Sequence, residues 1–304
     1  MKRIFSILLG LGIGFAAIAQ DATEPAKEAP KQKFTKATFN ATKIINMQST
    51  EIVSKGALQF LISHHFSNFW DKNAEPGQNF GQLLGLNSGI ARTYLSFDYS
   101  PTTYANVGLA AAGSSKYEGF VKFKLLRQQT GKKNIPVTVG WYSMAHVNTA
   151  KDPYALTTMD KFAFLHQLLI ARKFSDKLSL ELVPSLVHIN RVPYGPNNTN
   201  SVFSIGLAGK YKMTSNKNLT FEYSRQLNGH KNQLDRNANI FNYSPDLLSV
   251  GLELNTGGHL FQFYIGATQD ASNIDHLARN NNWIKDGQFA FGFTLNRSLS
   301  LKKD

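Results

Sequence analysis

Histidine is the side chain in this sequence best suited to chemistry. His146, His166 and His188 fall on three successive strand-like segments, each roughly 8–10 residues from a short turn, so they could reach one depth on neighbouring strands. Three imidazoles at one level are a metal-ligand set. Side-chain parity turns His146 inward and His188 outward unless Pro184 introduces a bulge, and it leaves His166 open. His64 and His65 are adjacent and must face opposite ways on a strand. His230 and His276 lie in Asn-rich segments and are expected to be solvated. Asp235, Asp246, Asp270 and Asp275 sit in the same segments without the spacing of an EF-hand. No nucleophile stands out. There is no cysteine, no phosphate-binding Gly-rich loop and no paired-carboxylate motif, and the one His-x-Ser string is His65-Phe66-Ser67. The residues therefore assign no catalytic group and call for no cofactor.

Charged residues form the second candidate set. Arg92, Asp98, Glu118, Lys122, Lys124, Lys210, Lys212, Glu222 and Glu253 alternate with apolar neighbours inside strand-like runs. If the apolar faces point out, these nine point in. Two readings follow: a network of paired charges that fills a narrow interior, or a charged constriction that selects solutes.

Both sets depend on the elements that carry them. Phe162 to Val192 reads as two long strand-forming runs joined by Ser175, Asp176 and Lys177, a hairpin signature. Each arm exceeds the roughly 9–11 residues that a tilted strand needs to cross a bilayer. From Gly56 to Leu301 twelve such segments recur. Short connections follow the even-numbered segments (SPTTY, GKKNI, SDK, TSNKN, TGG), and most of the longer ones follow the odd-numbered segments, with GSSK at Gly113 an exception. That asymmetry is the habit of transmembrane barrels, with turns on the periplasmic side and loops outside. In the last segment Phe289, Phe291, Phe293, Leu295, Leu299 and Leu301 share one face, and Ala290, Gly292, Thr294, Asn296, Ser298 and Ser300 share the other. The expected fold is all-β, a transmembrane antiparallel up-and-down β-barrel of about 12 strands. Closure is required because open sheet edges cannot lie in hydrocarbon. Both signs of charge inside, and apolar residues on both faces at Leu168/Leu169 and Leu182/Val183, favour a filled barrel over an open pore.

The flanking chain sets the compartment. Residues 1–19 combine Lys2 and Arg3, a short apolar core and an Ala-Ile-Ala ending, the pattern of a signal peptide. Removing it takes the formal charge from +13 to +11. Residues 20–37 read as a flexible leader, residues 38–55 as a periplasmic lead-in or plug, and residues 56–304 as the barrel. An even strand count places both termini in the periplasm of a Gram-negative cell. The expected partners are outer-membrane lipid and a small-molecule solute; a basic exported chain meets no nucleic acid.

Six strings carry a family resemblance: YEGFVKFKLLRQ from Tyr117, QLLIARKFS from Gln167, LSLELVPSLVHIN from Leu178, TGGHLFQ from Thr256, FGFTLNRSLSL from Phe291 and TKIINMQSTEIVSKG from Thr42. Together they resemble an uncharacterised family of Gram-negative outer-membrane β-barrel proteins, a domain of unknown function. The resemblance spans about Thr42 to Leu301 and implies fold and compartment. It carries over no activity and no site residue. Leu301 is followed by Lys302, Lys303 and Asp304 in place of a terminal aromatic residue.

Overall fold

The computed structural model describes residues 31–70, 72, 75, 77, 79, 92–152, 155, 157–192, 199–228, 233–234, 240–241, 246–280, 282 and 284–301. The expected signal peptide (residues 1–19), most of the expected leader (residues 20–37), most of the segment 67–89 and His230 lie outside the described residues.

Twelve strands close into one barrel: β1 (Ala57–Trp70), β2 (Arg92–Tyr99), β3 (Ala105–Ala112), β4 (Lys116–Leu126), β5 (Thr138–Asn148), β6 (Phe162–Lys173), β7 (Leu178–Ile189), β8 (Ser201–Lys212), β9 (Lys217–Gln226), β10 (Leu247–Asn255), β11 (Leu260–Gly266) and β12 (Phe289–Ser300). Each pairs antiparallel with its neighbour in sequence, and β12 returns to β1 with Ser300 opposite Ala57 and Arg297 opposite Phe60. No edge is left unpaired in the barrel, as a hydrocarbon surrounding demands. Pro184 has no N–H to give, yet the β6–β7 register is the same on both sides of it, Gln167 opposite Ser185 and Ile170 opposite Leu182. No bulge forms there. The tight β3–β4 connection works because Gly113 adopts φ 81°, open to glycine at little cost.

Burial alternates along every strand. On β1 the residues Gln59, Leu61, Ser63 and His65 are buried, while Leu58, Phe60, Ile62 and Phe66 are partly exposed. The apolar row predicted for the last strand faces outward, and of its polar-and-small row Ala290, Gly292, Thr294 and Asn296 are buried while Ser298 and Ser300, near the strand end, are exposed.

The inward row is buried because the lumen is filled. From the turn side, the chain before β1 enters the barrel, and Thr38 to Thr50 are buried there apart from Asn40. This segment doubles back on itself through Ile44 N–H to Met47 O (2.9 Å) and Ser49 N–H to Thr42 O (3.0 Å). Glycines in the wall make room for it: a Cβ on Gly206 would lie 2.2 Å from Met47 Cε, and one on Gly251 3.2 Å from Ile45 Cδ1. From the other side, the connection after β11 folds inward and forms a one-and-a-half-turn helix, α1 (Asn273–Ala278), all six residues of which are buried. Ser272 caps it, accepting from Ile274 N–H at 3.2 Å. Before the luminal segment, Lys33–Phe34 pairs with Gln129–Thr130 at the β4–β5 turn.

Candidate functional site: the sealed lumen

Inward charges hold the luminal segment by its backbone. Glu222, fully buried on β9, accepts from Asn46 N–H (2.9 Å), Met47 N–H (2.9 Å) and Asn46 Nδ2 (2.6 Å). Lys122 on β4 donates from Nζ to the carbonyls of Thr42 (2.8 Å), Ser49 (2.9 Å) and Glu51 (3.3 Å). Lys210 on β8 reaches Ala37 O (3.2 Å) and Asn40 Oδ1 (3.1 Å), while Glu253 on β10 accepts from Asn40 Nδ2 (2.7 Å). Lys124 pairs with Glu51 at 3.0 Å. Buried charges survive only when solvated by fixed dipoles or opposite charge, and here peptide groups do most of that solvation.

The nine charged candidates divide accordingly. Glu118, Lys122, Lys124, Lys210, Glu222 and Glu253 meet luminal chain or α1. Asp98 is buried and accepts from Ser96 Oγ at 2.8 Å. Arg92 and Lys212 are exposed at opposite strand ends, and Arg92 faces Asp270 of the incoming loop. Neither arrangement expected for the set describes this wall, since most of these charges bind backbone and loop groups instead of one another or an open channel. Sequence reading passed over Glu181, which shares the inward parity of Ser179, Val183 and Ser185 on β7 and accepts from Thr50 N–H at 3.2 Å. Lys43 was also missed; its ammonium lies 4.2 Å from the Tyr94 ring centre inside the barrel.

The three histidines do not converge. His146 is buried in the lumen, 3.5 Å from Glu118, whereas His166 and His188 stand on the outer face. Each outer imidazole is matched by a hydroxyl on the adjacent strand: His166 Nδ1 with Ser143 Oγ (2.9 Å), His188 Nδ1 with Ser201 Oγ (2.9 Å) and, on β1, His64 Nδ1 with Thr93 Oγ1 (3.2 Å). Such pairing is what an exposed ring nitrogen needs where no water is present. No cluster of three or more metal-type side chains occurs among the described residues. His276 corrects another expectation: it is buried in α1, not solvated, because its loop folds into the barrel. Burial, reinforced by the charge of Lys43, pulls its imidazole down to about 4. Its Nε2 hydrogen-bonds Asp270 O. Asp275, pulled down by Lys116 and Arg279 despite burial, ties α1 to the start of β4 through Lys116, while Arg279 at the helix end pairs with it from one turn on.

Two constellations with catalytic composition also appear. Ser63 Oγ lies 3.2 Å from His65 Nε2 and from Tyr264 Oη; it is a Ser-x-His pair, the reverse of the His-x-Ser order sought in the sequence. Ser272, His146 and Glu118 meet beneath α1, but Ser272 Oγ donates to the carboxylate (3.1 Å) and caps the helix. Both are enclosed. Where the luminal segment meets α1, the remaining cavity among Asn46, Met47, Gln167 and His276 is about 10 Å³, the space of one water molecule. A larger concavity of about 880 Å³ lies on the outer face, over Gly119, Ala145 and Leu109. Among the described residues the lumen thus offers polar closure, and its cavity beneath α1 holds no more than a water molecule.

Residues 39–299 match the family described as "Membrane bound beta barrel domain (DUF5777)". The chain belongs to this family. Membership makes the outward apolar rows lipid-facing and agrees with the resemblance read from the sequence strings. A search of curated proteins finds no match. Among solved structures, a CymD monoaromatic hydrocarbon channel aligns at 9% identity over 84% of this chain and 90% of its own, TM-score 0.39. A Pseudomonas aeruginosa FadL homologue aligns at 9% identity over 88% and 94%, TM-score 0.38. A mutant Rh. blastica porin aligns at 10% identity and TM-score 0.32 over 68% of this chain, which spans 55% of the porin's length.

Proposed function

We propose that this membrane barrel is an outer-membrane conduit for small solutes held shut by its own N-terminal segment, with both termini in the periplasm and no catalytic chemistry. The compartment and orientation rest on the export-type N-terminus and on the contrast of short turns with long loops. One observation carries the closed-conduit reading: the luminal segment is gripped by hydrogen bonds from Glu222, Lys122, Glu181 and Lys210 rather than by apolar packing alone. Water can replace such contacts when the segment leaves, and the polar wall it uncovers can stay wet. A purely structural barrel is the second reading, favoured by how completely the lumen is filled.

Planar-bilayer recording separates them. The parent chain should show no conductance. A chain lacking residues 38–50, with residues 270–280 also replaced by a Gly-Ser linker, should show discrete steps. If the doubly relieved barrel folds, judged by a heat-dependent gel shift, and still passes no current, the conduit reading fails and the structural one stands.

A further inference from the structure

Charge is distributed unevenly along the barrel axis. On the loop side, basic residues meet acidic ones: Lys72 with Asp286, Arg92 with Asp270, Lys116 and Arg279 with Asp275, and Arg191 with Asp152. On the turn side Lys55, Lys132, Lys133, Arg172, Lys177 and Lys217 are exposed at the turns and strand ends. Among the described residues of that rim the exposed carboxylate is Asp176, which serves Lys173 at 3.5 Å. The cations recur around the rim, at the start of β1, at the β4–β5, β6–β7 and β8–β9 turns and at Arg297 near the end of β12, while the β2–β3 turn (SPTTY) and the β10–β11 turn (TGGH) carry none.

Apolar and aromatic side chains accompany them. Phe174, Tyr211, Met213 and Tyr104 are exposed at the same level. Two guanidinium groups lie against rings, Arg172 5.0 Å from the Phe174 centroid and Arg127 4.5 Å from that of Phe34. A ring of rings with cations beside it marks the level where acyl chains give way to headgroups.

We infer that the turn-side rim is a binding annulus for anionic phospholipid headgroups of the leaflet it meets. A soluble polyanion would approach from one direction and need a patch. A leaflet surrounds the barrel, and only it reaches every one of these cations while the neighbouring aromatic groups remain in its hydrocarbon edge. Attraction of a basic residue to an anionic leaflet is about 1 kcal/mol per Lys or Arg near the surface.

The test uses Trp141, which is 40% exposed on the outer face three residues from the turn end of β5. The full chain, with Trp70 and Trp283 replaced by Phe, is reconstituted in phosphatidylcholine vesicles containing brominated phosphatidylglycerol or brominated phosphatidylcholine. The relative association constant from Trp141 quenching should favour phosphatidylglycerol by about fivefold at low salt, the factor one such contact supplies. It should fall toward one in 0.5 M salt. A variant with Lys132, Lys133, Arg172, Lys177 and Lys217 replaced by Gln should lose the preference at low salt; its heat-dependent gel shift in phosphatidylcholine shows that it is folded. Equal quenching by the two lipids in the parent chain overturns the proposal, as does an undiminished preference in the folded variant. Preference lost on adding a soluble polyanion, with none for the brominated lipid itself, would assign the rim to a polymer and overturn it too. The outcome is independent of whether the lumen conducts.

Discussion

Replacing Glu222 by Gln is the sharpest perturbation of the closed state. The carboxylate accepts two backbone N–H groups and one side-chain amide, from two consecutive residues of the luminal segment, in a fully buried position. Glutamine keeps the shape but supplies one acceptor oxygen, and it turns an NH₂ group toward donors. At least one charge-assisted hydrogen bond is lost, worth about 1.5–3 kcal/mol, and a buried N–H is left facing another. A net shift of about 3 kcal/mol against the inserted segment raises its excursions roughly 100-fold. The chain has no cysteine, so Ile44→Cys introduces a single thiol at a buried position of the segment. The assay is the labelling rate of that thiol by a membrane-impermeant maleimide in vesicles, with and without E222Q. The expected increase is on the order of 100-fold for E222Q. It should be smaller for E253Q, whose parent carboxylate holds the segment through Asn40 alone. Labelling of a folded E222Q barrel within twofold of the parent rate would show that Glu222 does not retain the segment.

Three further perturbations probe other contacts. Gly206→Val places a branched side chain where Met47 Cε now sits; overpacking of this kind costs about 1–3 kcal/mol, and Met47→Ala on the same chain should restore the parent labelling rate. His276 is held neutral down to about 4, while an unfolded histidine takes its proton near 6.5. The stability tied to its neutral form is therefore complete above about pH 6.5 and lost as pH falls toward 4, at most about 3 kcal/mol. Protection of the α1 amides, taken relative to the intrinsic exchange rate at each pH, should fall as pH drops over that window, and His276→Gln should flatten the dependence; protection that ignores pH in the parent chain would contradict it. Phe293 faces lipid midway along β12, so Phe293→Lys should cost about 2–4 kcal/mol in folding into vesicles. Ser298→Lys, near the end of the same strand, should cost far less in the same titration.

Much of the barrel was legible because its rules are local. Alternation in FAFGFTLNRSLS reports facing within one strand, and SDK between two long runs reports a hairpin, so strand number needed no knowledge of distant residues. The parity that put His146 inward and His188 outward also holds in the structure, since Pro184 leaves the register unbroken. A boundary drifted where strand-forming side chains outlast the pairing: β7 stops at Ile189, before Val192. The lumen was harder to read. Thr38–Thr50 has no period because its contacts are made by peptide groups, which every residue has. Its turn between Thr42 and Ser49 exists only where Glu222 and Lys122 are waiting. His276 was misjudged for a related reason: QDASNIDHLARNNN is polar enough for solvent, and only a cavity built by residues hundreds of positions away makes it interior.

That peptide-based fit decides which changes the luminal segment should tolerate. Five buried carboxylates on the strands, Asp98, Glu118, Glu181, Glu222 and Glu253, and Asp275 of α1 face three buried ammonium groups, Lys43, Lys122 and Lys210, so direct pairing cannot satisfy all of them. The segment answers both signs with one polymer, offering N–H groups to Glu222 and Glu181 and carbonyls to Lys122 and Lys210. Thr42 contributes its carbonyl to Lys122, and its own hydroxyl makes no hydrogen bond of ordinary length among the described residues. Thr42→Val should therefore leave closure intact and even strengthen it slightly, by removing a buried hydroxyl that lacks such a bond. Met47→Pro removes the N–H that Glu222 receives at 2.9 Å, and Met47→Ala, which loses the same buried side chain but keeps the N–H, is its control. If the backbone is what the wall recognises, thiol labelling at Ile44→Cys should rise sharply in the proline variant and stay at the parent rate in the valine one. The opposite ranking would mean that side-chain packing, not the peptide groups, keeps the barrel closed.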